Sequence, residues 1–231
     1  MEAGAYSLPV RVVENPRATR LTLRIVPGGQ ALRLTTPPHV SDEQVDDFLE
    51  RNRNWVETRI SRLPETVSLK DGVTINFLGV GHEIVFTDRL RGVVEPAVVD
   101  GVPVLRLPGE GASRSRKLLA FMKKEARTRL DLAVNRHAAT LGVRPRSIRI
   151  TDTASRWGSC STTRTLSFSW RIVMAPPEVL DYLAAHEVAH LREMNHGTAF
   201  WDLVRGLCPE MEKHKAWLRK NGPSLHAVSL P

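Results

Sequence analysis

Apolar and polar residues alternate with period two through Leu8–Glu14, Thr19–Val26 and Ala31–Thr36, which predicts three short strands at the start of the chain. Leu21, Leu23 and Ile25 face one way and Thr22 and Arg24 the other, with Pro27-Gly28-Gly29 as the turn. Ser41 with Gln44 three residues on forms a capping box. The spacing of Val45, Phe48, Leu49, Val56 and Ile60 then predicts one helix reaching about Leu63, ended by Pro64. Strand patterns return at Val73–Phe77, His82–Phe86 and Val102–Leu107. Pro108-Gly109-Glu110-Gly111 is the expected domain boundary, dividing a β-rich N-terminal domain (1–108) with one helix from a second domain (109–231).

The second domain opens on a long helix, Ser113 to Leu141, in which Leu118, Met122, Ala126, Leu130 and Val134 make an i+4 ridge and Gly142 is the stop. His137 lies near that ridge and reads as a core histidine; His39 and His82 read as turn or surface residues. Ser147–Thr151 and Thr165–Val173 are strand-like. Residues 155–172 form a hairpin of a short antiparallel sheet, with Leu166, Phe168, Trp170 and Ile172 on the packed face and Arg171 on the open one. A helix spans roughly 178–194, starting at Ala175-Pro176-Pro177-Glu178 and stopping at Asn195-His196-Gly197. Phe200, Trp201, Val204 and Leu207 predict a short amphipathic helix, and Pro209 opens another carrying Met211, His214, Trp217 and Leu218. The fold class is α+β.

Composition adds exclusions. With 231 residues and 42% apolar content the chain can bury a full core. No apolar run approaches a membrane span, and the N-terminus lacks the features of a secretory signal. Cys160 and Cys208 are too few for a disulfide framework, so a reducing, cytoplasmic location is expected, with Cys160 a small buried side chain. The net charge of +8 is uneven: residues 110–171 hold 14 Lys/Arg against 4 Asp/Glu. Such a segment could meet DNA or another acidic partner, although no aromatic stacking set or recognition motif accompanies it; a solvated basic surface is the simpler expectation.

The chemistry lies in His186-Glu187-Val188-Ala189-His190, followed by His196. Two histidines four apart share one helical face, where a single Zn²⁺ can take both imidazoles; a third ligand leaves the fourth position for water, and Glu187 can act as general base on it. On a helical wheel Glu187 falls inside the apolar sector made by Leu180, Leu183, Leu191 and Met194. A carboxylate there costs free energy unless it is partnered, and a polarised water is such a partner. His196 has the offset of the third histidine in H-E-x-x-H-x-x-G-x-x-H, the metzincin pattern, but Glu193 stands where that pattern has glycine. Glu210 or Glu212 could supply the ligand from a later helix instead, as in gluzincins, and Glu193 lies near the same face. His214 and Tyr182 are candidates to steady an oxyanion. The 155–172 hairpin could offer an edge along which a peptide adds as a strand.

The segments Ser155-Arg156-Trp157-Gly158-Ser159-Cys160, Phe168-Ser169-Trp170-Arg171, Met174-Ala175-Pro176-Pro177, His186–His190 with Asn195-His196, and Phe200-Trp201 resemble the YgjP-like zinc metallopeptidases, relatives of the SprT-like and WLM families. The resemblance covers roughly residues 150–220. It implies a minimal zincin-like metallopeptidase domain, Zn²⁺ on His186, His190 and His196, Glu187 as base and a polypeptide substrate. SprT-like relatives include proteases acting on DNA-crosslinked proteins, which by analogy alone would give the basic segment a use. The rival from another class is a nucleic-acid-associated protein with a structural metal.

Overall fold

The computed structural model describes the chain except residues 1, 4–5, 27–30, 62–64, 154–155 and 231 and the side chains of residues 1–7. The expected turn at Pro27-Gly28-Gly29, the stop at Pro64 and the hairpin's first residue, Ser155, lie outside the described residues. Two compact units form, Met1–Thr66 and Val67–Pro231.

In the first unit, β1 (Glu2–Ala3) and β2 (Tyr6–Ser7) pair antiparallel. The three expected strands follow as β3 (Val10–Glu14), β4 (Thr22–Ile25) and β5 (Leu32–Thr36), in the order β3-β5-β4, with β5 parallel to β3 and antiparallel to β4. Alternation in β5 buries Leu32 and Leu34. The helix expected as one piece is two: α1 (Asp42–Arg51) and α2 (Arg53–Ile60). The Ser41–Gln44 capping box forms as expected. The break is at Asn52, whose backbone leaves helical geometry and whose Nδ2 donates to the Phe48 carbonyl at 2.7 Å, a local bond that competes with the helical ladder.

The second unit begins with β6 (Val67–Ser68) and a sheet of β7 (Thr74–Phe77), β8 (Val80–Phe86), β9 (Glu95–Val99) and β10 (Val102–Leu107), ordered β7-β8-β10-β9. No alternation announced β9. It is an edge strand with Pro96 in it and little burial, so neither period nor composition marks it. These strands do not form a domain with the first 66 residues. Ile75, Phe77, Ile84, Leu105 and Leu107 share one core with Leu118, Met122 and Leu130 and with Phe168, Trp170, Val179 and Leu183. The turn after β7 also bonds forward, Leu78 N–H to the Val173 carbonyl at 2.8 Å and Gly79 N–H to that of Met174 at 3.2 Å. The expected division at residue 108 therefore falls inside a single core.

The long helix is α3 (Ala112–Leu141), closed by Gly142 in the left-handed conformation. All five ridge residues are fully buried; sealing a Leu or Met side chain is worth about 1.5–3 kcal/mol. The next sheet consists of β11 (Ser147–Thr151), β12 (Gly158–Cys160) and β13 (Thr165–Ser169), ordered β11-β13-β12. It was expected to be antiparallel. The β12–β13 hairpin is, but β11 lies on the far side of β13 and runs parallel to it, so the sheet is mixed. The last strand was expected to reach Val173, yet it ends at Ser169. Trp170–Met174 is a 3₁₀ turn with every residue buried, a pattern incompatible with an open face. Arg171 is consequently inside: its Nη1 donates to the carbonyls of Leu225 (3.1 Å) and Val228 (2.7 Å), and its Nε to Asp152 (2.9 Å).

Three helices complete the unit, α4 (Pro177–Ala189), α5 (Thr198–Leu207) and α6 (Met211–Ala227), and a short strand, β14 (Val228–Ser229), pairs with β6. Pro177 sits in the first turn of α4, where its missing N–H costs nothing. The helix stops at Ala189, earlier than expected. Among the described residues, no helix is long and apolar enough to cross a membrane.

Candidate metal centre

The early end of α4 is what gathers the histidines. After Ala189 the chain tightens through i−3 bonds, Leu191 N–H to Val188 and Arg192 N–H to Ala189, each at 3.0 Å. This turn brings the Glu193 carbonyl to 3.0 Å from His190 Nδ1 and lets the chain return, so that His196 Nε2 lies 3.2 Å from His186 Nε2. Ligand atoms of His186, His190 and His196 all fall within 4.8 Å of one another. Had the helix continued to Met194, His196 would have been carried along its axis and away from the pair.

Aromatic rings support the three imidazoles. Phe200 of α5 stacks on His190 at 4.4 Å and meets His186 and His196 edge-on at 4.9 and 4.7 Å; Trp201 lies beside His196 at 5.6 Å. Lys215 Nζ of α6 caps the Trp201 ring at 4.3 Å. Burial, then the neighbouring His190, His196 and Lys215, pushes His186 down to about 3, which keeps it a neutral donor. Burial also lowers His190. Neutral imidazoles converging on one point are the form that a metal ion accepts.

Glu187 is 3% exposed. Burial raises its carboxyl to about 8, with Arg156 opposing the shift. Glu187 Oε2 and His186 Nδ1 are buried without a hydrogen-bond partner among the described residues. The carboxyl fits only because Gly158 of β12 faces it: a Cβ on that glycine would lie 2.7 Å from Glu187 Cδ and Cγ. The sequence reading missed this role of Gly158. The signal available was a glycine heading a strand, which marks close approach of another group.

The other candidates separate. Glu210 is exposed and faces Lys213 at 3.3 Å, and Glu212 faces Lys215 at 3.6 Å. Tyr182 is buried one turn before His186, its ring 6.1 Å away, and burial pushes its hydroxyl up to about 12. His214 lines a cavity of about 500 Å³ with Arg129, Asp181 and Cys208, a set that excludes all three clustered histidines. His137 is buried as expected and bonds Asp181 at 2.9 Å, tying α3 to α4. Several cations of the basic segment are engaged internally: Arg114 over Phe86, Arg127 with Asp131, Arg136 with Asp181, and Arg171 as above.

The model of the YgjP-like, metallopeptidase domain family matches residues 19–221. The chain belongs to this family. It is a peptidase, a hydrolase acting on polypeptides, and the YgjP-like metallopeptidase domain implies a bound metal ion, for which the three clustered histidines are suited. The chain is also similar to two solved metallopeptidase zymogens. One is Pyrococcus abyssi abylysin, at 20% identity and a TM-score of 0.36 over 39% of this chain and 93% of that one. The other is Methanocaldococcus jannaschii jannalysin, at 23% identity and a TM-score of 0.36 over 40% of this chain and 88% of that one. No curated protein matches the chain.

Proposed function

We propose that this YgjP-like protein is a zinc metallopeptidase in which His186, His190 and His196 hold the ion and Glu187 is the general base. The observation that carries the reading is the pairing of a three-histidine cluster with a buried, unpartnered carboxyl next to His186 on α4. The 3.2 Å between His186 Nε2 and His196 Nε2 supports zinc: two nitrogens at about 2.05 Å from a tetrahedral ion stand about 3.3 Å apart. His190 is preorganised, because Nδ1–H donation to the Glu193 carbonyl leaves Nε2 as its free donor. An all-nitrogen set of three suits zinc and leaves one position open.

Bound there, zinc would lower the pKa of a water and polarise the scissile carbonyl. Glu187 receives the water's proton at Oε2 and returns it to the leaving amine. Its apolar surroundings raise its proton affinity, which favours taking up the water's proton. The histidines act only in binding. β12, an outer strand of its sheet, is where an extended peptide would add antiparallel, with Gly158 keeping the backbone close to Glu187.

The test is Glu187→Gln. The variant should bind zinc as the native protein does and lose peptide hydrolysis by about 10²–10⁴-fold, the size of a general-base contribution. Turnover within twofold of native on an unfolded protein substrate would exclude Glu187 as the base.

A further inference from the structure

Gly158 meets Glu187, and the residue before it is wedged into a different part of the protein. The Trp157 ring lies 4.5 Å from that of His226 at 34°, and it passes so close to Gly222 that a Cβ there would be 3.1 Å from Cζ2 and 3.4 Å from Nε1. Both partners sit near the C-terminal end of α6. The Trp157 carbonyl accepts from Ser169 N–H at 2.8 Å, which extends the β12–β13 ladder by one rung. The indole is therefore fixed at both its backbone and its ring.

The same end of α6 is tied a second time. Arg171 joins the Leu225 and Val228 carbonyls to Asp152, so the same helix end is tied both to Asp152 and, through Gly222 and His226, to Trp157. We infer that the C-terminal end of α6 is a brace that sets where Gly158 meets the Glu187 carboxyl, and that Trp157, with Gly222 and His226 behind it, is a positioning residue for the general base. This rests on the assignment of Glu187 proposed above.

The geometry is sensitive because both contacts are at their limit. There is no spare space between Gly222 and the indole, nor between Gly158 and the carboxyl. Pushing the indole outward by a few tenths of an ångström moves β12 relative to α4. Misplacement of a reacting group by about 1 Å can cost about 10²-fold in rate. On that scale a shift of about 0.5 Å costs about tenfold.

The experiment is a double-mutant cycle on the zinc-loaded enzyme with Gly222→Ala and Trp157→Phe. Residue 222 precedes Pro223, so Ala carries a backbone strain of its own, but that strain is the same in both backgrounds and cancels in the cycle. Gly222→Ala should lower kcat about tenfold with KM nearly unchanged when Trp157 is present, and by less than about threefold in the Trp157→Phe background, where the smaller ring leaves room. Zinc affinity should stay within twofold throughout. In the metal-free protein, amide exchange over residues 157–160 should quicken in Gly222→Ala and return toward native in the double variant. Equal kcat factors in the two backgrounds, or unchanged exchange, would overturn the brace. Glu187→Gln run alongside separates the two readings: if it is inactive while Gly222→Ala is not impaired, only the brace fails, and if it retains turnover, both fail.

Discussion

Gly158 and Glu187 compete for one space: the glycine has no side chain, and the Glu187 side chain fills the position where a Cβ would stand, with Cδ and Cγ 2.7 Å from it. Glu187 is buried and cannot retreat into solvent. A methyl group at 158 must therefore displace the carboxyl or the strand. Gly158→Ala should lower kcat by about 10²-fold, as expected for misplacing a reacting group. Zinc binding should persist, because the three histidines lie outside the collision. Steady-state peptide cleavage with zinc titration checks this, and a fully active Gly158→Ala enzyme would show that the carboxyl need not stand where it does.

The third ligand separates two arrangements that the spacing alone left open. His196 reaches the pair because the turn after Ala189 is tight, while Glu210 and Glu212 are engaged by lysines of α6. His196→Ala should weaken zinc by more than about 100-fold, since even partners outside the ligand shell cost 10–100-fold when lost. Glu210→Ala and Glu212→Ala should leave affinity within about twofold. Zinc competition against a chelator of known affinity measures all three, and the reverse ranking would move the third ligand to α6.

What the chain revealed in advance depended on whether one local rule governed each element. α3 has an uninterrupted ridge and a glycine stop, and both are where the pattern put them. Glu187 stood out as a carboxylate in an apolar stripe, and it is buried beside the histidines. The pattern failed where tertiary contacts override local preference. Trp170–Met174 continues a strand-like alternation, but every residue is buried, so the alternation carried no face. Asn52 breaks a helix through one side-chain bond that no periodicity records. Gly158 was legible only as a glycine in a strand; what it makes room for is 29 residues further along the chain.

Arg171 illustrates the same point energetically, and it yields a stability prediction. Counted from sequence it belongs to a basic surface, yet it is buried and satisfies two carbonyls at the end of α6. Arg171→Met keeps most of the packing and strands both acceptors. With an unmet buried group costing about 1–3 kcal/mol, the loss should be about 2–4 kcal/mol. Asp152 is 42% exposed at its side chain, and Asp152→Asn should cost less than about 1 kcal/mol. Urea denaturation of the metal-free variants compares them. Equal costs would mean that the ion pair, rather than the carbonyls, is what Arg171 supplies.

His226 predicts a pH dependence of stability from the same corner of the fold. Burial lowers its pKa below the ordinary 6.5; the Arg171 charge adds to the shift, and Asp152 opposes it. Below pH 6.5 the unfolded chain takes up a proton that the folded protein resists, so the unfolded state gains stability as the pH falls. The contribution of His226 is thus fully present above pH 6.5 and is lost progressively as the pH drops through and below that value. His226→Gln removes the titrating group while keeping a planar side chain against Trp157. The slope of unfolding free energy between about pH 5 and 6.5 should therefore be shallower in His226→Gln than in the native chain. Above pH 7 the two curves should run parallel, offset by whatever the lost ring contact is worth. Denaturant titrations of the metal-free proteins across this range measure both slopes. An identical slope below pH 6.5 would show that the Trp157–His226 contact accepts the proton without penalty.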